Sequence, residues 1–442
     1  MAKFNRENVL RQLQFKRKWR SYSRYVYIAV PCVLCCLLCL YFAYSKFFVS
    51  EEQAVIRTTV GAYIDGEYSS TIPGKNDGYV VENVACDNGA VGKWNSADWG
   101  LLTTNLSKRT KCNVYFKKLV TKVPDIIAQL DTSGKCPTVN DDGSVSVTAV
   151  EDTNCYLCKA KDAYGDSYYY RGNVTNNYVK FADKYWRIVR INGDGTVRVI
   201  YDGTSAHANG ESSEDRQIGT SAFNSSYKDN AYVGYMYGAT GASTYAAAHA
   251  NTNDSTIKAY IDNWYNTNIV GTTNEQYLAD NIFCNDRSIS SNKPSSSYNN
   301  LGYGTNATAY RWYYFANSSY NNKMMLTCPQ QNDAFTVSDT TKGNGALTYP
   351  VGLLSTDEIV LAGGWNASNR GYYLYSGGIW WASSPCRFNG SDALVRRVYS
   401  DGNPNYFIRV NNSYGVRPVF NLKAEVLAQG SGTATDPYRI SS

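Results

Sequence analysis

Histidine is nearly absent. The 442 residues contain two, His207 and His249. Imidazole is the usual base for serine and cysteine nucleophiles and the commonest metal ligand, so triad hydrolases and histidine-built metal centres have little to work with. Both histidines lie in Ala/Asn/Ser/Gly-rich stretches that read as surface loops. There is no Gly-x-Ser-x-Gly elbow and no phosphate-binding glycine loop followed by Lys-Ser/Thr. Charge is scarce too, at 18% of residues, and the net +6 is unevenly placed. Residues 1–24 hold Lys3, Arg6, Arg11, Lys16, Arg17, Lys18, Arg20 and Arg24 against Glu7 alone, which leaves residues 45–442 close to −1. A large outer portion with no basic field excludes nucleic acid as a partner.

Directly after the basic segment the chain turns apolar. Tyr25 to Tyr44 is 20 residues without a charge, about the length needed to cross ~30 Å of hydrocarbon. With basic residues on the cytoplasmic side, the expectation is a cytoplasmic tail (1–24), a single transmembrane helix (25–45) and an extracellular remainder. A cleavable leader ending at Ala43-Tyr44-Ser45 is the rival, but the run exceeds the usual ~7–15 residues of a signal-peptide core.

Eight cysteines lie beyond the apolar run: Cys86, Cys112, Cys136, Cys155, Cys158, Cys284, Cys328 and Cys386. An even count in an oxidising compartment points to disulfides. Neighbourhood pairs Cys86 with Cys112 and Cys284 with Cys328. Cys136 meets Cys158 or Cys155, which leaves one of those two and Cys386 unassigned. A single Cys-x-x-Cys, Cys155 to Cys158, with no second outside the apolar run, reads as disulfide framework and not as a zinc site.

Tyrosine is abundant, 39 residues, and aromatics make up 14%. The chain therefore has mass to bury, and its Asn/Gly/Ser/Tyr bias favours strands and turns over helices. An α+β chain is expected: a small all-β, sandwich-like domain over 51–118, a disulfide-containing connector over 119–161 with a short helix near Pro124–Leu130, and a large domain over 162–442. Asp65-Gly66 is a hairpin turn, and Asn192 to Gly195 joins the strands Tyr185–Ile191 and Thr196–Tyr201. In that hairpin Ile188, Val189, Val197 and Val199 feed the core, while Arg187, Arg190 and Arg198 line the outer face. Ser255 to Asn266 has helical apolar spacing through Ile257, Tyr260, Ile261, Trp264 and Tyr265. Ser355-Thr-Asp-Glu358 is a capping box, which accounts for the adjacent carboxylates Asp357 and Glu358 without a catalytic role.

The C-terminal stretch carries a resemblance. Ile379-Trp-Trp-Ala-Ser-Ser-Pro385, the strand Ala393–Tyr399, the Ser400-Asp-Gly402 turn, Tyr406–Val410 and Tyr414-Gly-Val-Arg-Pro-Val-Phe-Asn-Leu422 resemble the last half of C-type-lectin-like domains of the FISUMP-type and formylglycine-generating-enzyme-like groups. The whole chain also resembles a set of membrane-anchored surface proteins of Gram-positive gut bacteria to which no activity is assigned. Shared with that set are Cys112–Phe116, Tyr168–Asn173, Phe283–Arg287, Phe335–Thr340 and Gly432–Tyr438. The resemblance implies a scaffold displaying one irregular face. In some proteins of this fold that face is diversified by retroelements. The comparable positions here are Ser383, Ser384, Cys386, Phe388, Asn389, Tyr399, Asn403, Asn405, Tyr406, Arg409, Asn411 and Tyr414. Tyrosine supplies rigid contact area, and Ser and Asn supply adaptable hydrogen bonds.

The function expected is recognition of an extracellular protein or glycan through this face, with Trp381, Phe388, Tyr406 and Arg409 as the main contacts and Trp380 and Arg417 as structural residues. No cofactor is expected beyond the calcium that C-type-lectin-like folds sometimes hold; Asp141-Asp142 and Asn192–Asp194 lack EF-hand spacing. Formylglycine-type oxidation needs paired cysteines, and the comparable region offers Cys386 alone. The alternatives are a cell-wall or glycan-processing enzyme, which requires a cleft with convergent carboxylates, and a structural envelope subunit with a self-complementary face.

Overall fold

A computed structural model describes residues 60–74, 77–95, 99–106, 110–147, 156–314 and 323–440. The basic tail and the apolar run at 25–45 lie outside the described residues, as does Cys155. Among the described residues no helix is long and apolar enough to cross a membrane. The fold is mixed α+β and strand-rich, with no closed barrel among its sheets. Contacts divide it into two units, the first ending at Leu119 and the second starting at Val120.

The first unit is a four-stranded sheet in the order Glu67–Ser69, Val60–Ile64, Cys112–Lys118, Tyr79–Cys86. Asp65 and Gly66 turn the first hairpin with φ of 49° and 91°, the positive values that such two-residue turns demand. A second hairpin, Val91–Asn95 with Gly100–Thr104, packs Trp94 edge-on against Phe116 at 5.3 Å. The core is small, centred on Ala62, Val114 and Phe116, and the Cys86–Cys112 disulfide ties two neighbouring strands beside it. For so small a core a covalent cross-link matters more than it would in a larger domain.

In the second unit, residues 120–147 and 156–161 are part of the folded body. Their short helix is Val123–Ile127, the Cys136–Cys158 disulfide anchors them, and Tyr156–Asp162 is a strand of the main sheet. That sheet is antiparallel, in the order Val351–Gly352, Val419–Leu422, Val197–Gly203, Lys184–Ile191, Gly165–Arg171, Tyr156–Asp162, with Tyr178–Phe181 also paired to Lys184–Ile191. Helix α1, Thr256–Asn268, is capped by the Ser255 side chain and buries Ile257, Ile261 and Tyr265. Phe420 stacks on Trp186 at 4.6 Å, and Trp264 and Tyr265 of α1 close over it.

A second sheet runs Thr220–Ala222, Ser413–Gly415, Trp380–Phe388, Ala393–Val398, Tyr406–Arg409, with Thr308–Ala309 paired to Trp380–Phe388. The closing segment joins the two sheets, since Ser413–Gly415 belongs to the second and Val419–Leu422 to the first. A third disulfide, Cys284–Cys328, clips the region between them in sequence.

The outer-face assignment of Arg187, Arg190 and Arg198 is overturned. They are 0%, 3% and 1% exposed, because the main sheet is covered on both faces. Buried guanidinium groups demand partners, and two clusters supply them. Asp202 receives Arg216 and Arg417, each at 2.8 Å, with Arg187 at 3.8 Å. Glu358 receives Arg198 at 2.5 Å and Arg190 at 3.3 Å, and Arg190 also reaches Asp162 at 2.6 Å. Burial pushes the Glu358 carboxyl up, but Arg198 and Arg190 more than offset this and hold it below the usual glutamate range.

Glu358 also completes the capping box of helix α2, Thr356–Leu361, with Ser355. Its neighbour Asp357 pairs with Arg311 and accepts from Trp312 Nε1 at 3.0 Å and the Met325 amide at 2.8 Å. Both carboxylates of the box are thus committed to packing. Glu358→Gln would leave the Arg198 guanidinium buried without a countercharge and Arg190 with Asp162 alone, so it should lower unfolding free energy by about 3–5 kcal/mol. Urea denaturation of parent and variant measures this, and a loss under about 1 kcal/mol would contradict the assignment.

Candidate functional site

The second sheet brings four of the expected site residues into one continuous contact, through a fifth residue, Arg397, that is not among those expected. Trp381, Arg397 and Tyr406 are cross-strand neighbours in register. From the interior outward, Phe223 meets Trp381 at 5.7 Å, Trp381 meets Tyr414 at 5.4 Å, and the Arg397 guanidinium lies 4.5 Å from the Tyr414 ring and 5.3 Å from the Tyr399 ring. Tyr399 then lies against Tyr406, with ring centroids 4.5 Å apart and planes tilted by 31°. This ladder starts on fully buried rings and ends at Tyr406, 41% exposed.

Local sequence explains the placement. The Asp401-Gly402 turn, with Gly402 at φ 85°, returns the chain so that Tyr406 pairs Arg397. Tyr399 donates its amide to Asn403 and accepts from Gly402, which fixes its position at the turn. Counting register back from that turn points to Arg397, so the signal for it is present in the sequence.

Several expected contact residues are corrected. Trp381 is wholly buried and donates its indole N–H to the Ser221 carbonyl at 2.9 Å, so it is the base of the ladder and not a ligand contact. Phe388 is also fully buried. Ser383 and Ser384 point inward because Pro385 cannot donate to the sheet and the Trp380–Phe388 strand bulges around it. Ser384 Oγ accepts from the Thr356 amide at 2.8 Å, which seats helix α2, and Ser383 Oγ donates to the Cys284 carbonyl at 2.7 Å. Asn405 is half-buried and accepts twice from Arg396, at 2.7 and 2.5 Å. Asn389 holds a turn by accepting from the amides of Ser391 and Asp392.

Asn403 is buried in the turn, Asn411 is exposed, and Arg409 is half-exposed, paired to Asp392 at 2.9 Å and lying over Tyr227 at 5.2 Å. Trp380 is core, with Arg417 5.1 Å from its ring.

The residues considered for catalysis are tied into the fold. The Cys386 thiol is fully buried, and burial pushes it up, away from the thiolate that attack needs. Both histidines, expected in surface loops, are buried. His207 is gripped by Glu211 at 2.8 Å and Asp215 at 2.7 Å. His249 lies against the Tyr245 ring, centroids 3.7 Å apart, and hydrogen-bonds through Nε2 to the Gly302 carbonyl at 3.0 Å. Burial, with Arg287 nearby, draws its imidazole down to about 3. A cavity of about 10 Å³ beside Arg198, Asp357 and Glu358 has room for one water and no more. Asp142 is engaged with Ser144 and Lys323, and Asp194 caps its turn through Thr196. No protein-family model, curated protein or solved structure matches this chain.

In the folded, unreduced protein Cys386 should resist maleimide, reacting only on denaturation; rapid native labelling, mapped by mass spectrometry, would contradict its burial. Between pH about 6.5 and about 3 the unfolded chain binds a proton at position 249 that the folded chain does not. Stability is therefore lost as pH falls through that window, by about 1.4 kcal/mol per unit from this residue. His249→Asn should flatten the pH dependence of urea stability there, and an unchanged slope would refute it.

Proposed function

We propose that this chain is an outward-facing surface protein whose larger unit, a C-type-lectin-like domain, binds a protein or glycan ligand through the tyrosine ladder of its second sheet. The observation that carries this reading is the ladder itself. Rigid aromatic rings run from a buried base to an exposed end, which is how a binding surface gains contact area at little entropic cost. Three disulfides suit an oxidising exterior, and the basic segment followed by the apolar run Tyr25–Tyr44 suits a single anchor with the body outside. The contacts are Tyr399, Tyr406 and Tyr414, with Asn411 and Arg409 beside them. Trp381 supports them from below. Catalysis is the weaker reading because Asp202, Asp357 and Glu358 are held in ion pairs with arginine.

The test is a glycan array together with whole-cell binding, using the full chain beside Tyr406→Ala and Tyr399→Ala. Both variants should fold and should bind a ligand found for the parent at least about tenfold more weakly, the loss expected for an interface anchor. Equal binding by parent and variants would overturn the assignment of the face, as would a parent that binds nothing on the array or on cells.

A further inference from the structure

Buried arginines in the larger unit have acceptors, with one exception. Arg187, Arg190, Arg198, Arg216, Arg287, Arg396 and Arg417 each donate to a carboxylate, an amide oxygen or a backbone carbonyl. Arg397 is 9% exposed and its guanidinium takes part in no hydrogen bond or ion pair among the described residues, with Nε sealed without a partner. Its neighbours are the rings of Tyr399 and Tyr414, which attract a cation but supply no lone pair for its N–H groups. A guanidinium presents five donors in a planar fork matched to a two-oxygen anion. To leave it unpaired at such burial is costly unless an acceptor from outside completes it. It also sits midway along the ladder, one strand in from the exposed Tyr406.

We infer that Arg397 receives the acidic group of an anionic saccharide, a carboxylate or a sulfate held bidentately, while a sugar ring lies on the Tyr399–Tyr406 pair. This inference rests on the reading of the ladder as a ligand-binding face and adds to it the ligand's chemical class. Charge complementarity selects the anion, because an approaching ligand meets an unneutralised cation. The flat, exposed ring of Tyr406, with Tyr399 tilted against it, selects a saccharide over an acidic peptide, since a pyranose offers a matching flat face of C–H groups. Arg409, already neutralised by Asp392, is not the anion's partner.

The experiment immobilises polygalacturonate, dextran sulfate and neutral dextran and measures binding of the full chain, Arg397→Gln, Arg397→Lys and Tyr406→Ala. The carboxylate and sulfate arms separate the two anion sources. The parent should bind at least one acidic polymer and not dextran. Arg397→Gln should weaken that binding about a hundredfold and Arg397→Lys about tenfold, because lysine keeps the charge and loses the fork. Tyr406→Ala should weaken it too, and near-ultraviolet circular dichroism checks each variant's fold. Competition on the parent needs no variant: free glucuronate should displace the polymer, whereas glucose should not. Binding to dextran that needs Tyr406 and ignores Arg397 would overturn the acidic class and leave the face standing. Acidic binding indifferent to both residues would overturn both readings. No binding to either acidic polymer overturns the inference.

Discussion

The buried carboxylate of Asp202, shared by Arg216, Arg417 and Arg187, is the constraint around which the larger unit is organised. Three cations meet one anion with no exposure to water. The excess charge is spread over backbone carbonyls: Arg417 donates to Tyr201 and Leu374, Arg216 to Glu211 and Tyr373, and Arg187 to Val174. Burial draws Arg417 down to about 10, still cationic at neutral pH. Such a cluster adds little net stability over an apolar core, but it tolerates few alternative arrangements, since any other packing strands a charge. Arg417 lies in the short link between Ser413–Gly415 and Val419–Leu422, so the clasp sets the two sheets against each other. Tyr414 is three residues away, and the ladder's position follows from the clasp.

The second cluster works the same way on helix α2. Its N-terminus is held by the capping box, by Ser384 from the bulged strand and by two arginines on Glu358. The bulge at Pro385 that turns Ser383 and Ser384 inward is thus also what fastens the second sheet to the helix. A face of tyrosines can remain partly exposed because the sheet beneath it is anchored by ionic and hydrogen-bonded contacts that do not depend on covering it.

Local signals are legible in the sequence. The Asp65-Gly66 and Asn192–Gly195 turns, the Ser255 cap, the Ser355–Glu358 box and the Cys86–Cys112 and Cys284–Cys328 pairs each depend on neighbours in sequence or on a strong backbone preference. The choice between Cys155 and Cys158 for Cys136 needs the fold. The expectations that fail share one cause: period-2 alternation tells which residues share a face, not whether that face meets water. Arginine is usually exposed, which puts Arg187, Arg190 and Arg198 outside on sequence grounds, yet this sheet is covered on both sides. Trp381, Ser383, Ser384 and Phe388 fail for the same reason, since both faces of the Trp380–Phe388 strand are covered there and its pairing register shifts at Pro385. The significance of Arg397 lies in a missing partner, which no sequence pattern displays.

The most direct test of the clasp is native-state hydrogen exchange on the unmodified protein in rising, sub-denaturing urea. If Asp202 and Arg417 lock the sheets together, the amides of Val197–Gly203 and Val419–Leu422 should open in one cooperative step, at the highest opening free energy in the chain. Opening of Val419–Leu422 at markedly lower free energy, while Val197–Gly203 stays protected, would show that the clasp does not bind them and would contradict the account.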